Sequence, residues 1–292
     1  MALTTKEIRR VNQLLLRWYS KSARQLKIRE RSDPYSVLIV EVMAQQTQIS
    51  RVDQVAERFL SQFPTLAALA KAETAEVLEA WRGLGYNRRA LALHRAAQAA
   101  DAAGGLPVTY EELQLLPGIG PYTARAVAAI AFGGSEIPVD VNIARVVQRV
   151  TGEAKLTPKP LQVAANAFGA ELDGNEAGTW AQAAMDLANA YCRSSTPDCS
   201  SCPLRKVCHS AGRVAVPPPR QRGAAPRFSS TRRWLRGRLL DELRDAGAAG
   251  VQLRGVRGEH DAEAVTATIK QLQAEGLIER LRGAVYRLPR RS

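Results

Sequence analysis

Hydrophobic residues recur at helical spacing along most of this chain. Ile8, Val11 and Leu15 lie one turn apart and predict an amphipathic helix over 7–25. Asp33-Pro34 supplies an N-cap followed by proline at the first helical position, so a second helix is predicted over 36–48. The same spacing predicts helices over 51–62, 65–70, 74–81, 87–103, 109–116, 121–132, 142–151, 159–171 and 177–191. Because strand patterns are nearly absent before residue 210, this part is predicted to be all-α.

The pattern changes after residue 212. Residues 213–228 are rich in proline and arginine, which predicts a basic, extended linker. Beyond it, helical spacing over 232–246 and 262–275 is followed by alternation around Arg282-Gly283 that is typical of a small hairpin. We therefore predict an all-α core over 1–212 and a small α+β, winged-helix-like domain over 229–292.

Charge is the next informative feature. The 292 residues carry a formal net charge of +13, and residues 211–292 hold 17 Lys and Arg against 8 Asp and Glu. Such an excess indicates an anionic partner, most simply nucleic acid, although a basic protein without one has the same charge. The N-terminus lacks a signal-peptide pattern and no apolar run is long enough to cross a membrane, so we expect a cytoplasmic, nucleoid-associated protein without membrane contacts.

The chain has four cysteines, all within 192–208 and spaced C-x6-C-x2-C-x5-C: Cys192, Cys199, Cys202 and Cys208. Thiolates this close in sequence can bind either zinc or a [4Fe–4S] cluster. Zinc sites usually have two short C-x2–4-C pairs, and here there is one. The spacing therefore favours the iron–sulfur cluster.

A glycine-containing turn between two predicted helices is a candidate phosphate site. Gly118 and Gly120, in Leu-Pro-Gly-Ile-Gly, allow a tight turn and leave backbone N–H groups bare at the start of the next helix. The alternative is an ordinary helix–helix turn. Asp140 follows 20 positions beyond Gly120 and precedes a helix, where it is expected to serve as an N-cap.

Glu41 lies within Val-Leu-Ile-Val-Glu-Val-Met-Ala, a helix that is apolar almost all round. A lone carboxyl in that setting is expected to be desolvated, which would raise its pKa and suit it to general acid work. The alternative is a glutamate on a thin exposed edge of a buried helix.

Together these motifs resemble one family over roughly residues 8–210. The cysteine spacing, the glycine turn followed by Asp140, and Glu41-Val-Met-Ala-Gln-Gln-Thr are similar to the helix–hairpin–helix glycosylases, the superfamily of endonuclease III and the adenine DNA glycosylases. The resemblance implies a six-helix part over about 30–134 and a cluster part formed by 1–29 and 135–212. It also implies a [4Fe–4S] cofactor and, as partner, double-stranded DNA with a mismatch or lesion, bound by a monomer.

The resemblance also implies roles for individual residues. Glu41 would protonate adenine, and Asp140 would stabilise the sugar cation as the base departs. Tyr122 stands where lyase-active members have a lysine; since a phenol cannot form an imine, we expect a glycosylase without lyase activity. Tyr122, Arg29 and Asp186 would lie by the base pocket. The residues expected to contact DNA are Gln45, Gln46, Gly118, Gly120, Asn142 and Tyr86, the last as an intercalating wedge.

Two positions depart from the adenine-specific pattern. Ile28 replaces a tryptophan and Ala44 replaces a leucine near the base pocket, which leaves open excision of thymine or uracil opposite guanine, of hypoxanthine or of another damaged base. The C-terminal pattern is not that of the Nudix-like domain found in many adenine glycosylases. A third hypothesis, an iron–sulfur DNA-binding regulator without catalysis, would leave the two carboxylates without a role.

Overall fold

The computed structural model describes residues 3–153, 155–214 and 226–290. These residues form thirteen α-helices and three short β-strands. The helices of the first part are α1 (Thr5–Ser22), α2 (Pro34–Ala44), α3 (Ile49–Gln62), α4 (Leu66–Lys71), α5 (Thr74–Ala80), α6 (Arg88–Ala102), α7 (Tyr110–Leu115), α8 (Pro121–Ala131), α9 (Val141–Thr151), α10 (Pro158–Gly169) and α11 (Glu176–Ala190). No strand occurs in the described residues before 215, which confirms the predicted all-α character of this part.

The first of two compact units comprises Met1–Glu41, Leu106–Leu115 and Ile119–Arg220. Its core forms where the apolar stripes of α1, α9, α10 and α11 pack together. The amide of Asn12 is buried in this core, donates to the carbonyl of Phe168 (2.9 Å) and accepts from the indole of Trp180 (2.8 Å), so its polar atoms are satisfied. Gly178 lets α11 approach α8 closely, since a Cβ there would lie 2.8 Å from the Cα of Ile130.

Helix α2 has the predicted N-cap, but it begins at Pro34 rather than at residue 36 and ends earlier than predicted. The Asp33 carboxylate accepts from the backbone N–H of Ser36 (2.8 Å), which confirms the N-cap. The prediction of a helix to residue 48 is wrong, because α2 ends at Ala44. Arg89 donates to the carbonyls of Val42 (3.0 Å) and Met43 (2.8 Å), which the last turn of a helix leaves without intrahelical partners.

The second compact unit comprises Val42–Gly105, Leu116–Gly118 and Gln221–Ser292. Its helical part is formed by α3, α4, α5 and α6, with Trp81 fully buried and its ring edge-on to Phe59 at 6.0 Å. The predicted boundaries at 212 and 229 stay a prediction. Most of the predicted linker 213–228 lies outside the described residues.

The C-terminal residues form the small α+β arrangement that was predicted. It contains α12 (Arg232–Ala246), β1 (Val251–Gln252), α13 (Ala262–Ala274), β2 (Glu279–Arg280) and β3 (Val285–Arg287). The strands form an antiparallel sheet in the order β1-β3-β2, and the β2–β3 hairpin turns at the predicted Arg282-Gly283. Gly283 has φ 71°, the left-handed conformation that favours glycine in such a turn. The sheet and the two helices bury a leucine-rich face that includes Leu235, Leu239, Leu243, Leu253, Leu272 and Leu288.

Within the described ranges, none of the helices combines the length and the apolar character needed to span a bilayer.

Candidate functional site

Glu41 is a partly buried carboxyl on α2. Desolvation raises its pKa from an ordinary 4.5 to about 7, and the negative charge of Asp140 adds to this rise. A hydrogen bond from Tyr122 and the positive charge of Arg29 oppose it. Glu41 therefore exchanges its proton near neutral pH, as the sequence predicted for a general acid.

Tyr122, the second residue of α8, hydrogen-bonds to Glu41. Burial raises the pKa of its phenol well above 10, and the charges of Glu41 and Asp140 raise it further. The phenol is therefore protonated at neutral pH and can act as the donor in this bond.

Asp140 is the N-cap of α9. One carboxylate oxygen accepts from the backbone N–H groups of Asn142 (2.9 Å) and Ile143 (2.7 Å), and the other accepts from the Asn142 side-chain amide (2.7 Å). These bonds fix the carboxylate, and a negative charge is favoured at a helix N-terminus. Since Asp140 also influences the pKa values of Glu41 and Tyr122, the structure brings these three predicted residues together.

Arg29 and Asp186 form a buried ion pair. Arg29 lies in a single 3-10 turn (Lys27–Glu30) and donates to both carboxylate oxygens of Asp186, on α11, at 2.7 and 3.0 Å. Arg24 donates to the same carboxylate through its backbone N–H (3.1 Å) and its guanidinium (2.6 Å). Burial alone would raise the pKa of Asp186, but the hydrogen bonds from the two arginines outweigh it and lower the pKa. Ile28, in the same turn, is buried.

Three further predicted residues surround the end of α2. Ala44 is its last residue, and Gln45 and Gln46 follow in a turn where Gln46 is exposed and has φ 55°. Arg89 holds this turn, because its guanidinium donates to the carbonyl of Gln45 and to the hydroxyl of Thr47 (3.0 Å).

Arg89 also holds the turn that contains Tyr86. It donates to the carbonyls of Leu84 (3.3 Å) and Gly85 (3.2 Å), and its guanidinium lies 5.6 Å from the Tyr86 ring centroid. Burial lowers the pKa of Arg89 to about 10, which leaves it charged at neutral pH. Tyr86 has φ 45° and is 44% exposed, so an aromatic ring projects from a constrained turn.

The predicted hairpin connects α7 to α8. Gly118 has φ 75°, and a Cβ at this position would lie 2.4 Å from the Cβ of Ala92, so the turn requires glycine on both counts. Gly120 is the N-cap of α8 and Pro121 occupies its first turn. This is the geometry in which a helix N-terminus can approach a phosphate closely.

The four cysteines are partly buried and form no disulfide. Burial raises the pKa of the Cys202 thiol to about 11, and the charges of the other three cysteines add to the rise. Among residues 3–153, 155–214 and 226–290, however, no three His, Cys, Asp or Glu side chains are grouped so that they could hold a metal ion.

Comparison with known proteins identifies the family. Residues 39–168 match the HhH-GPD superfamily of base excision DNA repair proteins. The adenine DNA glycosylase of Mycobacterium tuberculosis (strain H37Rv) is 37% identical over 287 residues, which cover 94% of this chain and 92% of the relative. That of Mycolicibacterium smegmatis is 38% identical over 80% of each chain. This chain belongs to the adenine DNA glycosylase family.

Relatives in this family differ in length. The human adenine DNA glycosylase is 38% identical over 68% of this chain, but the match covers only 39% of the human protein. Among solved structures, a thermostable thymine-DNA glycosylase has a TM-score of 0.65 at 24% identity, and a trapped endonuclease III–DNA intermediate has 0.60 at 23%; each match covers 72% of this chain and 98% of the other. These structures share the helix–hairpin–helix glycosylase fold, which confirms the predicted fold class.

Two arginines that were not predicted from the sequence join the cysteine loop to α9 of this glycosylase. Arg145 donates to the carbonyl of Cys192 (2.6 Å) and to the Asn142 side chain (3.0 Å), and Asn142 in turn donates to Asp140. Arg149 donates to the sulfur of Cys192 (3.3 Å). The two arginines lie four residues apart, on one face of a helix that begins at Asp140, and that spacing is the signal that could have revealed them.

Proposed function

We propose that this chain is a monofunctional glycosylase that removes adenine from DNA where it is mispaired with 8-oxoguanine or guanine. One observation carries the proposal: Glu41, whose pKa is near neutrality, accepts a hydrogen bond from Tyr122 and lies within electrostatic range of Asp140. A proton donor paired with a fixed carboxylate is the arrangement that N-glycosidic bond cleavage needs. The names of the mycobacterial relatives support adenine as the base.

The reaction starts when adenine is rotated out of the duplex. Protonated Glu41 donates its proton to a ring nitrogen of adenine, so the bonding pair of the C1′–N9 bond can leave with the base. Positive charge develops on the sugar, and the Asp140 carboxylate, held by three N–H donors, stabilises it. Water then adds to C1′ and gives up one proton, which restores the protonated form of Glu41. The product is an uncut abasic site, because Tyr122 supplies no amine to form an imine.

The spacing of the four cysteines, which contains a single short C-x2-C pair, supports a [4Fe–4S] cluster rather than a zinc ion. Cys192, Cys199, Cys202 and Cys208 would hold it. When bound, the cluster would brace a loop that Arg145 and Arg149 connect to the helix of Asp140. The purified protein is expected to contain iron and acid-labile sulfide, whereas stoichiometric zinc without iron would contradict this assignment.

The test is a panel of duplexes that contain A:8-oxoG, A:G, T:G, U:G and hypoxanthine pairs. We expect free adenine from A:8-oxoG and A:G, with strand breaks only after alkali. Release of thymine, uracil or hypoxanthine instead would assign a different base to the same site, and the altered positions Ile28 and Ala44 would then be the first to examine. Absence of any base release would overturn the proposal.

A further inference from the structure

A buried arginine binds the C-terminal α+β module, which is formed by α12, α13 and the strands β1, β2 and β3, to α5 and α6 of its own unit. The side chain of Arg244, on α12, is 4% exposed and donates to the Leu78 carbonyl (2.9 and 3.1 Å) and to the side-chain oxygen of Asn87 (2.8 Å). Leu78 lies in the last turn of α5, where carbonyls lack intrahelical partners, and Asn87 immediately precedes α6. A buried guanidinium that satisfies a helix end is a specific anchor.

Two ion pairs add to this anchor. Arg82 pairs with Asp245 of α12, and Arg290, beyond β3, pairs with Glu73 at 2.9 Å. The partners in both pairs are well exposed, so each contributes little stability. Together with Arg244 they nevertheless fix which face of the module meets α5 and α6.

The anchored module brings Arg233 to Tyr86. Arg233 lies in the first turn of α12, and its guanidinium carbon is 4.8 Å from the centroid of the Tyr86 ring, a cation–π distance. Its terminal nitrogen lies 3.6 Å from the position that a Cβ on Gly85 would occupy, so the side chain also covers the turn backbone. Arg89 hydrogen-bonds to the backbone of this turn. Arg233, which belongs to the module, contacts the Tyr86 ring.

The first turn of α12 is positively charged. It contains Arg232 and Arg233, both exposed, and no acidic residue. Positive charge at a helix N-terminus is unfavourable in the isolated protein and becomes favourable beside DNA phosphates. An exposed aromatic ring next to exposed arginines is the combination that binds unstacked bases and backbone together.

We propose that Arg233 is a positioning residue that holds the Tyr86 ring ready to insert into the DNA helix, so that the C-terminal module forms part of the lesion-recognition surface. The proposal rests on the DNA glycosylase function proposed above. A ring that is already ordered loses less conformational freedom when it inserts, and this increases affinity for distorted DNA.

The experiment uses the full-length protein and a duplex with a tetrahydrofuran abasic analogue opposite guanine and 2-aminopurine beside it. Insertion of Tyr86 changes the stacking, and therefore the fluorescence, of 2-aminopurine. Arg233→Ala is expected to weaken binding about tenfold and to abolish most of the fluorescence change. Arg238→Ala is the matched control, because Arg238 is an exposed arginine of the same helix that pairs with Glu242. It is expected to stay within about twofold of wild type in affinity.

A double variant separates positioning from simple charge loss. In a Tyr86→Ala background, Arg233→Ala is expected to cause little further loss, because the ring that it holds is already absent. Equal effects of Arg233→Ala and Arg238→Ala, or additive losses in the double variant, would overturn the proposal. Unchanged thermal midpoints exclude unfolding as the cause. Since the abasic probe requires no base release, a wild-type protein inactive on A:8-oxoG would refute the proposed function and leave this binding result interpretable.

Discussion

The Tyr122 phenol and the Glu41 carboxylate share a hydrogen bond, in which the phenol can donate. This bond favours the charged form of Glu41, whereas desolvation and the nearby charge of Asp140 favour the neutral form. The pKa of about 7 is the balance of these opposing effects. Tyr122 therefore lowers the pH range in which Glu41 can deliver a proton, against the larger effect of desolvation.

Tyr122→Phe removes the hydrogen bond and keeps the ring, so the pKa of Glu41 is expected to rise. General acid catalysis needs protonated Glu41, and the rate of base release should therefore fall as pH rises through this pKa. We expect the midpoint of that fall near pH 7 in the wild type and at higher pH in the variant, measured by base release at subsaturating enzyme. Tyr110→Phe is the control, since Tyr110 packs on Arg125 and should leave the profile unchanged. A shift to lower pH would contradict this account.

Glu41→Gln is expected to stabilise the protein at alkaline pH. The pKa of Glu41 is raised in the folded state, so its favourable contribution is complete below the unfolded value and is lost as pH rises through about 7. Glutamine stays neutral, and at pH well above that value it should raise the free energy of unfolding by about 3 kcal/mol. At pH 4, below the ordinary pKa of 4.5, the difference should nearly vanish. Denaturant unfolding at both pH values measures it, with the exposed Glu111→Gln as the matched control. A pH-independent effect of Glu41→Gln would count against a desolvated Glu41.

Asp140→Asn tests whether Asp140 acts through its negative charge or only as a helix N-cap. Asparagine caps helices as well as aspartate does, so stability should change by less than about 1 kcal/mol. Base release should fall by about a hundredfold or more, since the charge that stabilises the sugar cation is lost. Asp261→Asn is the matched control, because Asp261 caps α13 in the same way, accepting from Ala264 N–H at 2.8 Å. Comparable loss of base release in both variants would show that capping alone is responsible.

Asp186→Asn is expected to destabilise the fold through Arg29. Both side chains are well buried, and removal of the carboxylate leaves a buried guanidinium without its partner, at a cost of about 3 kcal/mol near neutral pH. Because the pKa of Asp186 is lowered in the folded state, its contribution is lost as pH falls, and the difference between variant and wild type should shrink in acid. Glu171→Gln, which breaks the exposed pair with Arg9, should cost less than about 1 kcal/mol in the same unfolding assay.

Much of the fold followed from local patterns in the sequence. Helix α12 was predicted over 232–246 and spans Arg232–Ala246, since its leucines repeat at helical spacing against a buried face. The end of α2 was not predictable in this way. Arg89 donates hydrogen bonds to the carbonyls at the end of this helix, although it lies 47 residues along the chain from Val42. A local sequence pattern cannot predict a contact over that separation.

The same contrast between local patterns and distant contacts holds for the residues of the candidate site. Glu41 and Asp140 were recognisable because a lone carboxyl in an apolar helix and an acidic N-cap after a glycine turn are local features. Asp186 was identified only through the resemblance, and its hydrogen bonds to Arg24 and Arg29 span 162 and 157 residues. The contact of Arg233 with Tyr86 likewise depends on how the C-terminal module folds onto its unit.

We propose that Glu41 and Asp140 together excise adenine. The most direct measurement is single-turnover release of adenine from an A:8-oxoG duplex at pH 6.5–7 by wild type, Glu41→Gln and Asp140→Asn, with binding to the same duplex recorded in parallel. We expect rapid release by the wild type and a loss of at least about a hundredfold in each variant, with binding retained. Undiminished release by either variant, or none by the wild type, would contradict it.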